Sequence, residues 1–297
     1  MTWLNNKILS LYRPKHWLNS LNRDWFLVRL LFLLTGISAI VIVLITVFIS
    51  KEAFPVLRSV GIKAFFLDSS WNPSEQAYNI LPMLLGSLFV TLGSVALAAP
   101  LGIISAIFCH YYAPNWLASV YRRLIELLAG IPSVVYGFWG LVVLVPLINR
   151  IHAPGASLLA GICVLAVMIL PTMALVADAS LAQVPSEYIL GAASLGLSRW
   201  GTVWGVAIPA AKSGLLAGGV LQMGRAMGET MAVVMVCGNV VQIPDSIFAS
   251  IRTLTANIAL EMAYALGNHR SALFVSGLML IIVMSLLVLV GQLLMDN

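Results

Sequence analysis

The stretch LLFLLTGISAIVIVLITVFI, residues 30–49, decides the fold class because it carries no charged residue along its whole length. A helix of about 20 residues rises about 30 Å, which matches the hydrocarbon core of a bilayer. Water is absent at that depth, so backbone N–H and C=O groups must pair within the chain. The stretch therefore predicts a membrane-spanning helix. We expect it to be retained, since no small-residue cleavage site follows it.

The composition extends this prediction to the whole chain. Of its 297 residues, 61% are hydrophobic and only 9% are charged, and the mean hydropathy is +1.00. That leaves too little polar surface for a water-soluble globule of this size. The apolar runs are long and do not alternate strictly, which favours helices over a β-barrel.

Five further apolar runs predict further spanning helices. They cover residues 81–109, 124–148, 158–182, 214–236 and 273–294. The fold class is therefore an all-α polytopic membrane protein of about six transmembrane helices. Proline and glycine are frequent within these runs, which indicates either close helix packing through small residues or kinked helices that shape a pathway.

The distribution of charge predicts the topology. Residues 1–29 are strongly basic and rich in tryptophan, which suits one or two short helices lying in the headgroup region. The positive-inside rule then places both termini in the cytoplasm and residues 51–79, 149–157 and 237–272 outside. We divide the chain into an interfacial segment (1–29), a first helix with its loop (30–79) and a core (80–297).

The sequence offers no constellation for catalysis or metal binding. The three cysteines lie unpaired in apolar runs, and the four histidines have no metal-ligand spacing. Lys212-Ser213 lacks the preceding glycines of a phosphate-binding loop, so we expect no ATP binding of that kind. No cofactor, metal or nucleic acid is expected on this chain.

Residues 183–213, here called the coupling segment, are too polar to be a further span. The pattern of apolar residues predicts two short helices that meet near Gly196. The apolar side of such a helix pair on the cytoplasmic face has no lipid to enter, so the segment is expected to dock a partner protein.

This segment resembles the coupling motif of ABC-transporter permeases, written E-A-A, three residues, G, nine residues, I-x-L-P. Leu190-Gly191-Ala192 stands at the first three positions, Gly196 is the glycine, and Val206-Ala207-Ile208-Pro209 closes the pattern. The departure is Leu190, where the family often has a glutamate. Glu187, one turn earlier, could replace that glutamate only in part.

Two more stretches are similar to the PstC-type permeases of phosphate ABC transporters. IELLAGIPSVVYGFWGL (125–141) is similar to their third-helix signature, and GRAMGETMAV (224–233) to their fifth-helix signature. The resemblance covers residues 78–295. It implies the fold of a type I ABC-importer permease.

Two charged pairs inside or beside the predicted spans are candidate site residues. Arg225 and Glu229 would lie near the bilayer midplane one helical turn apart, where a charge is costly unless it is paired or wetted. They form either a structural ion pair or a positive site in the substrate pathway, with Glu229 moderating its field. Arg122 and Glu126, also one turn apart, form either a gate or, as their interfacial position favours, a salt bridge.

The resemblance implies the function and the partners. The chain would be half of the translocation pathway of an ATP-driven phosphate importer in a prokaryotic inner membrane, beside a second related permease subunit. An ATPase dimer carrying ATP and Mg²⁺ would bind the coupling segment, and a phosphate-binding protein would dock outside. A permease for sulfate, molybdate or tungstate, and an intramembrane enzyme, are the alternatives.

Overall fold

The computed structural model describes residues 15–68 and 70–296, without the side chains of residues 15–24, 26 and 296. Helix α1 runs without a break from Lys15 to Ser59. The prediction of separate short interfacial helices is therefore wrong for residues 15–29, and its first 14 residues lie outside the description. The physical reason is that no glycine or proline stands between Lys15 and Thr35 to end the helix.

Contacts divide the chain into two units, Met1–Lys51 and Glu52–Asn297. In the first unit, the large apolar side chains of α1 from Leu27 to Phe48 are exposed. A helix that is apolar on every side and buries none of it within its own unit suits a hydrocarbon environment.

The second unit is helical apart from one small hairpin among its described residues. Its elements are α2 (Ala64–Leu67), β1 (Trp71–Asn72), β2 (Ala77–Tyr78), α3 (Leu81–Ile107), α4 (Asn115–Ala129), α5 (Ser133–Trp139), α6 (Val145–Asn149), α7 (Leu158–Ala182), α8 (Ser186–Ser194), α9 (Arg199–Thr202), α10 (Ile208–Gly228), α11 (Met231–Val236), α12 (Leu254–Glu261) and α13 (Gly267–Asp296). Single π-helical turns at Phe108–Tyr112, Gly140–Leu144 and Val203–Ala207 extend or join helices.

Within the described residues, five helices are long and apolar enough to cross a membrane, and a sixth span results when one bent helix pair is counted as a unit. The straight spans are Leu27–Ser59, Leu81–Tyr112, Leu158–Ala182, Arg199–Gly228 and Gly267–Met295. The prediction of an all-α protein with about six spans is confirmed.

The third span, predicted over residues 124–148, is a bent pair of helices, Asn115–Ala129 and Ser133–Asn149, as the kinked-helix interpretation of its prolines and glycines allowed. α4 and the helix that begins at Ser133 meet at an angle of 89°. Pro132 is extended, with φ −60° and ψ 141°, and precedes the first residue of α5. Proline lacks an N–H and disfavours helix in the residue before it, here Ile131, so α4 does not continue through this point. The Tyr136 hydroxyl donates to the Leu128 carbonyl across the break at 2.9 Å.

Helices α3, α7 and α10 form the centre of the second unit. α3 and α7 run parallel, since Gly93 lies against Ile162 and Gly102 against Met173. A Cβ at Gly102 would lie 2.9 Å from the Met173 Cγ, which supports the packing interpretation of this glycine. α10 runs antiparallel to α7, because Gly214 meets Ser180 and Gly218 meets Val176.

These directions define two ends of the unit. The hairpin end holds the starts of α3 and α7, and there Phe65, Trp71, Tyr78 and Leu254 share one buried cluster. Burial raises the pKa of the Tyr78 phenol above its ordinary value. The coupling end holds the opposite ends of α3 and α7, where Ile107, Leu181 and Val203 share another cluster.

Candidate functional site

Arg225 lies on α10 and reaches the middle of α7. Its NH1 atom donates to the Thr172 hydroxyl at 3.3 Å, and the side chain is half-buried in this chain. Thr172 stands about midway along Leu158–Ala182, a helix long enough to span the membrane. The Arg225 guanidinium therefore lies beside the middle of a helix that is long enough to span the membrane.

A buried amide completes this site. The Thr172 hydroxyl lies 2.7 Å from Gln222 Oε1, and Gln222 is only 2% exposed. Arg225 and Gln222 are three residues apart on α10, so both face α7. We call Thr172, Gln222 and Arg225 the Arg225 cluster.

Glu229 does not lie one turn along the same helix, so that part of the prediction is wrong. α10 ends at Gly228, and Glu229 is extended with φ −69° and ψ 131°. Its Oε1 atom accepts a hydrogen bond from the Ala232 N–H at 3.2 Å, at the start of α11. Thr255 donates to the Glu229 carbonyl at 2.9 Å, so hydrogen bonds stabilise the break in the fifth span.

The ion pairs found among the described residues do not join Arg225 to Glu229. The carboxylate instead caps the N-terminal end of α11, where a negative charge is favoured. Since the positive group lacks that partner, the structural ion pair between the two residues is excluded for this conformation.

The predicted pair of Arg122 with Glu126 is also wrong. Arg122 binds Asp178 of α7 through two hydrogen bonds, Nε to Oδ2 at 2.7 Å and NH2 to Oδ1 at 3.1 Å. His110 Nδ1 lies 3.4 Å from Asp178 Oδ1, while Glu126 is exposed on α4. Asp178, on another helix, accepts two hydrogen bonds from the planar Arg122 guanidinium. Glu126, on the same helix as Arg122, does not bind it in this structure.

The coupling segment turns at Gly196, as predicted, and the helix before the turn, α8, is short. The prediction of a second short helix followed by a span from residue 214 is wrong, because α9 continues through the π-helical turn Val203–Ala207 into α10 as one span, Arg199–Gly228. Gly196 has φ +76°, a conformation that favours glycine. The Leu197 N–H donates to the Ala192 carbonyl at 3.1 Å and the Gly196 N–H to the Ala193 carbonyl at 3.0 Å. This pair of bonds is the Schellman motif that ends α8.

The coupling segment exposes a large apolar surface at the coupling end. Leu195 is 83% exposed, and the rings of Trp200 and Trp204 lie 5.2 Å apart. Glu187, Leu190 and Gly191 are exposed on α8, whereas Ala192 is buried against the unit. Pro209 lies in the first turn of α10, directly after the π-helical turn Val203–Ala207.

The comparison with known families decides the class. Residues 98–297 match the family described as "Binding-protein-dependent transport system inner membrane component". The chain belongs to this family. It is a membrane permease subunit of an ABC importer, located in the inner membrane as a multi-pass protein.

Individual relatives agree with this assignment. The permease is 41% identical over 279 residues to the "Probable ABC transporter permease protein YqgH" of Bacillus subtilis, with 90% of each chain covered. It is 33% identical over 253 residues to the "Phosphate transport system permease protein PstC" of Xylella fastidiosa, with 78% of each chain covered. The resemblance to PstC-type permeases is confirmed.

A solved structure supports the fold. A chain of a bacterial alginate ABC transporter in complex with alginate pentasaccharide-bound periplasmic protein superimposes with a TM-score of 0.63 at 15% identity. The match covers 92% of the permease and 94% of that chain. The permease therefore has the architecture of an ABC-importer membrane subunit.

The hairpin end of the permease holds a second charged cluster, which the sequence analysis did not find. Glu261 is 7% exposed and binds Arg252 NH1 at 2.7 Å, His269 Nε2 at 2.8 Å and Trp71 Nε1 at 2.9 Å. A buried carboxylate is tolerated only when it is paired in this way. These contacts tie the hairpin to α12 and α13.

Thr172 and Gln222 were not predicted from the sequence as site residues. Both stand in apolar runs as uncharged polar residues, and the available signal was the presence of an amide three residues before the intramembrane arginine. The described parts of the chain contain no group of three or more His, Cys, Asp or Glu that could hold a metal ion.

Proposed function

We propose that the permease imports inorganic phosphate and forms half of the translocation pathway of an ATP-driven importer. The observation that carries this proposal is the Arg225 guanidinium, held at mid-span by Thr172 and left half-exposed. A planar guanidinium matches the oxygens of a phosphate ion. The PstC relatives are named as phosphate-transport permeases, which supports phosphate as the substrate.

A second permease subunit would complete the pathway around Arg225. A half-exposed cation within a spanning region is costly in hydrocarbon and inexpensive beside water. The exposed side of Arg225 therefore suits the interface with a second subunit, where a hydrated pathway would run. Alternating access of that pathway would be driven by ATP and Mg²⁺ on two ATPase subunits.

The coupling segment would transmit the ATPase movement. Its exposed leucines and tryptophans would enter a groove on the ATPase, while Ala192 holds α8 against the permease. α8 follows directly on α7, and Asp178 near the end of α7 is bound to Arg122 of α4. A displacement of α8 would thus be passed to two helices through short contacts.

Substrate choice is tested with the purified complex in vesicles. We expect phosphate import that depends on ATP, and at most weak competition by sulfate, molybdate and tungstate at tenfold excess. Import of one of those ions with no import of phosphate would contradict the proposal. No import of any oxyanion by a complex with an active ATPase would contradict the oxyanion class as a whole.

The proposed topology places both termini in the cytoplasm and the hairpin end outside. Ser70 precedes β1 and is exposed, and an exposed loop position tolerates substitution. In a background that lacks the native cysteines, Ser70→Cys is expected to react in intact cells with an impermeant thiol reagent.

Leu195→Cys is the matched control, since Leu195 is exposed in the coupling segment. It should react with the same reagent only after the cells are opened. The reverse pattern would overturn the topology, and with it the assignment of the hairpin end to the binding-protein side.

A further inference from the structure

We infer that Thr172 and Gln222 are positioning residues, which fix the Arg225 guanidinium in the orientation that receives the oxyanion. This inference rests on the proposed function, because it assigns a role within the same substrate pathway. It goes further by naming two uncharged residues that act on the charged one.

The first step is the burial of Gln222. An amide that is 2% exposed between spanning helices is unfavourable unless it is hydrogen-bonded. Its oxygen lies 2.7 Å from the Thr172 hydroxyl, so this contact gives the amide oxygen a donor and joins α10 to α7. An apolar side chain would fill the same space without that cost, which indicates that the amide serves more than packing.

The second step is the hydrogen bonding of Thr172. Its hydroxyl lies 2.9 Å from the Ile169 carbonyl and 2.7 Å from Gln222 Oε1, and its single proton can serve only one of them at a time. Its lone pairs remain available to Arg225 NH1, which lies 3.3 Å away. Gln222 and the Ile169 carbonyl therefore orient the oxygen that receives the guanidinium.

The Arg225 side chain also needs a restraint on its conformation. A long side chain has many rotamers, and a pathway residue works best when its geometry is set before the ligand arrives. Gly224 and Gly228 flank Arg225, and a Cβ at Gly228 would meet nothing within 4 Å. Space is therefore open at Gly228, whereas a Cβ at Gly224 would lie 3.2 Å from the Met284 Cε. Among the described side chains, Thr172 is the hydrogen-bond acceptor that restrains the guanidinium.

The hydrogen bond to Thr172 orients the Arg225 guanidinium and leaves most of its N–H donors free. Arginine has five N–H donors in a plane, and the contact with Thr172 uses the NH1 end. The remaining donors can then bind two oxygens of a tetrahedral anion. This arrangement makes the site two-pronged, which a lysine at position 225 would not reproduce.

The test uses the complete transporter with substitutions at positions 172 and 222. Thr172→Val keeps the side-chain shape and removes the hydroxyl, and we expect phosphate import to fall about tenfold, as for the loss of a hydrogen bond to a charged group. Thr172→Ser restores the hydroxyl and should return import to within about twofold of the wild type, since the same bond can form again.

A double variant controls for loss of folding. Thr172→Val with Gln222→Leu removes the buried amide together with its partner, so no amide is left buried and unpaired, and assembly should be preserved. Its melting temperature should stay near that of the wild type while import stays about tenfold low, because the orientation of the guanidinium is still lost.

Ser94→Ala is the matched control. Ser94 is buried, and its hydroxyl lies 2.5 Å from the Val90 carbonyl of α3 and 3.2 Å from the Ile162 carbonyl of α7. It thus contacts α7 from α3, and no described hydrogen bond links it to the Arg225 cluster. If Thr172 only held helices together, Ser94→Ala and Thr172→Val would reduce import equally. Equal losses, or normal import by the Val and Leu double variant, would overturn the inference.

The proposed function is tested separately, by measuring which oxyanion the wild-type complex imports. If that complex imports another oxyanion and not phosphate, the phosphate assignment fails. The same variants are then measured with the ion that is imported. A tenfold loss that serine repairs would still support the positioning role, and a loss that serine does not repair would overturn it.

Discussion

Replacing Arg225 with glutamine is expected to reduce phosphate import by about 100-fold or more while leaving the complex assembled, by analogy with removal of a charge-stabilising donor. Glutamine removes the positive charge that would receive the anion within the membrane. It should cost little stability, because Glu229 does not depend on Arg225: its carboxylate accepts from the Ala232 N–H. Uptake of labelled phosphate and the yield of the complex are the two measurements.

Removing both charges separates the possible roles of Arg225. If it served only as a structural counter-charge, Arg225→Gln with Glu229→Gln would assemble and import normally, since breaking one partner alone is the costly change. We expect this double variant to assemble and to remain inactive. Normal import by the double variant would rule out Arg225 as a pathway residue.

Arg225→Lys tests the geometry rather than the charge. Lysine keeps the positive charge but is a point donor on a flexible stem, without the planar fork of a guanidinium. It is expected to retain at most weak import, below about a tenth of the wild-type rate, since at least one charge-assisted hydrogen bond would be lost. Import equal to the wild type would show that charge alone is sufficient at position 225.

The spans could be predicted from the sequence because hydropathy and length are sufficient for that purpose. The run at residues 158–182 coincides with α7, Leu158–Ala182, since a helix in hydrocarbon has no alternative to pairing its own backbone. The turn at Gly196 was predictable for a similar reason. Few residues besides glycine adopt its φ of +76° without strain.

The two helix breaks could not be predicted as easily. Pro132 gave a local signal, but a proline inside a span either kinks the helix or ends it, and the 89° bend depends on contacts such as that of Tyr136 with Leu128. Glu229 gave no signal for a break, because the bond from Thr255 to its carbonyl comes from a helix distant in the sequence.

The partners of the charged residues could not be predicted from their spacing. Spacing alone paired Arg225 with Glu229 and Arg122 with Glu126, because residues four apart are neighbours on a continuous helix. The structure replaces both pairings with contacts to α7, at Thr172 and Asp178. Such contacts join residues more than fifty positions apart. The residue pattern of one sequence, read alone, does not show which distant residues meet.

Replacing Gly196 with tryptophan is expected to uncouple the transporter. The left-handed backbone at φ +76° disfavours any side chain with a Cβ, at a cost of about 1–2 kcal/mol. A Cβ there would meet nothing within 4 Å, so the permease itself can hold the indole. The added bulk would instead obstruct the surface between α8 and α9 that we propose to enter the ATPase.

Gly61→Trp is the control that isolates this effect. Gly61 has φ +85° and equally open space around it, but it lies at the hairpin end. Both variants carry the same kind of strain, so the fraction of permease that folds should be similar. Gly196→Trp should lose ATPase co-purification and phosphate-stimulated ATP hydrolysis, whereas Gly61→Trp should keep the ATPase bound. If Gly196→Trp assembled with the ATPase and imported phosphate at the wild-type rate, the docking role of the coupling segment would be wrong, since no partner could sit on that surface without meeting the indole.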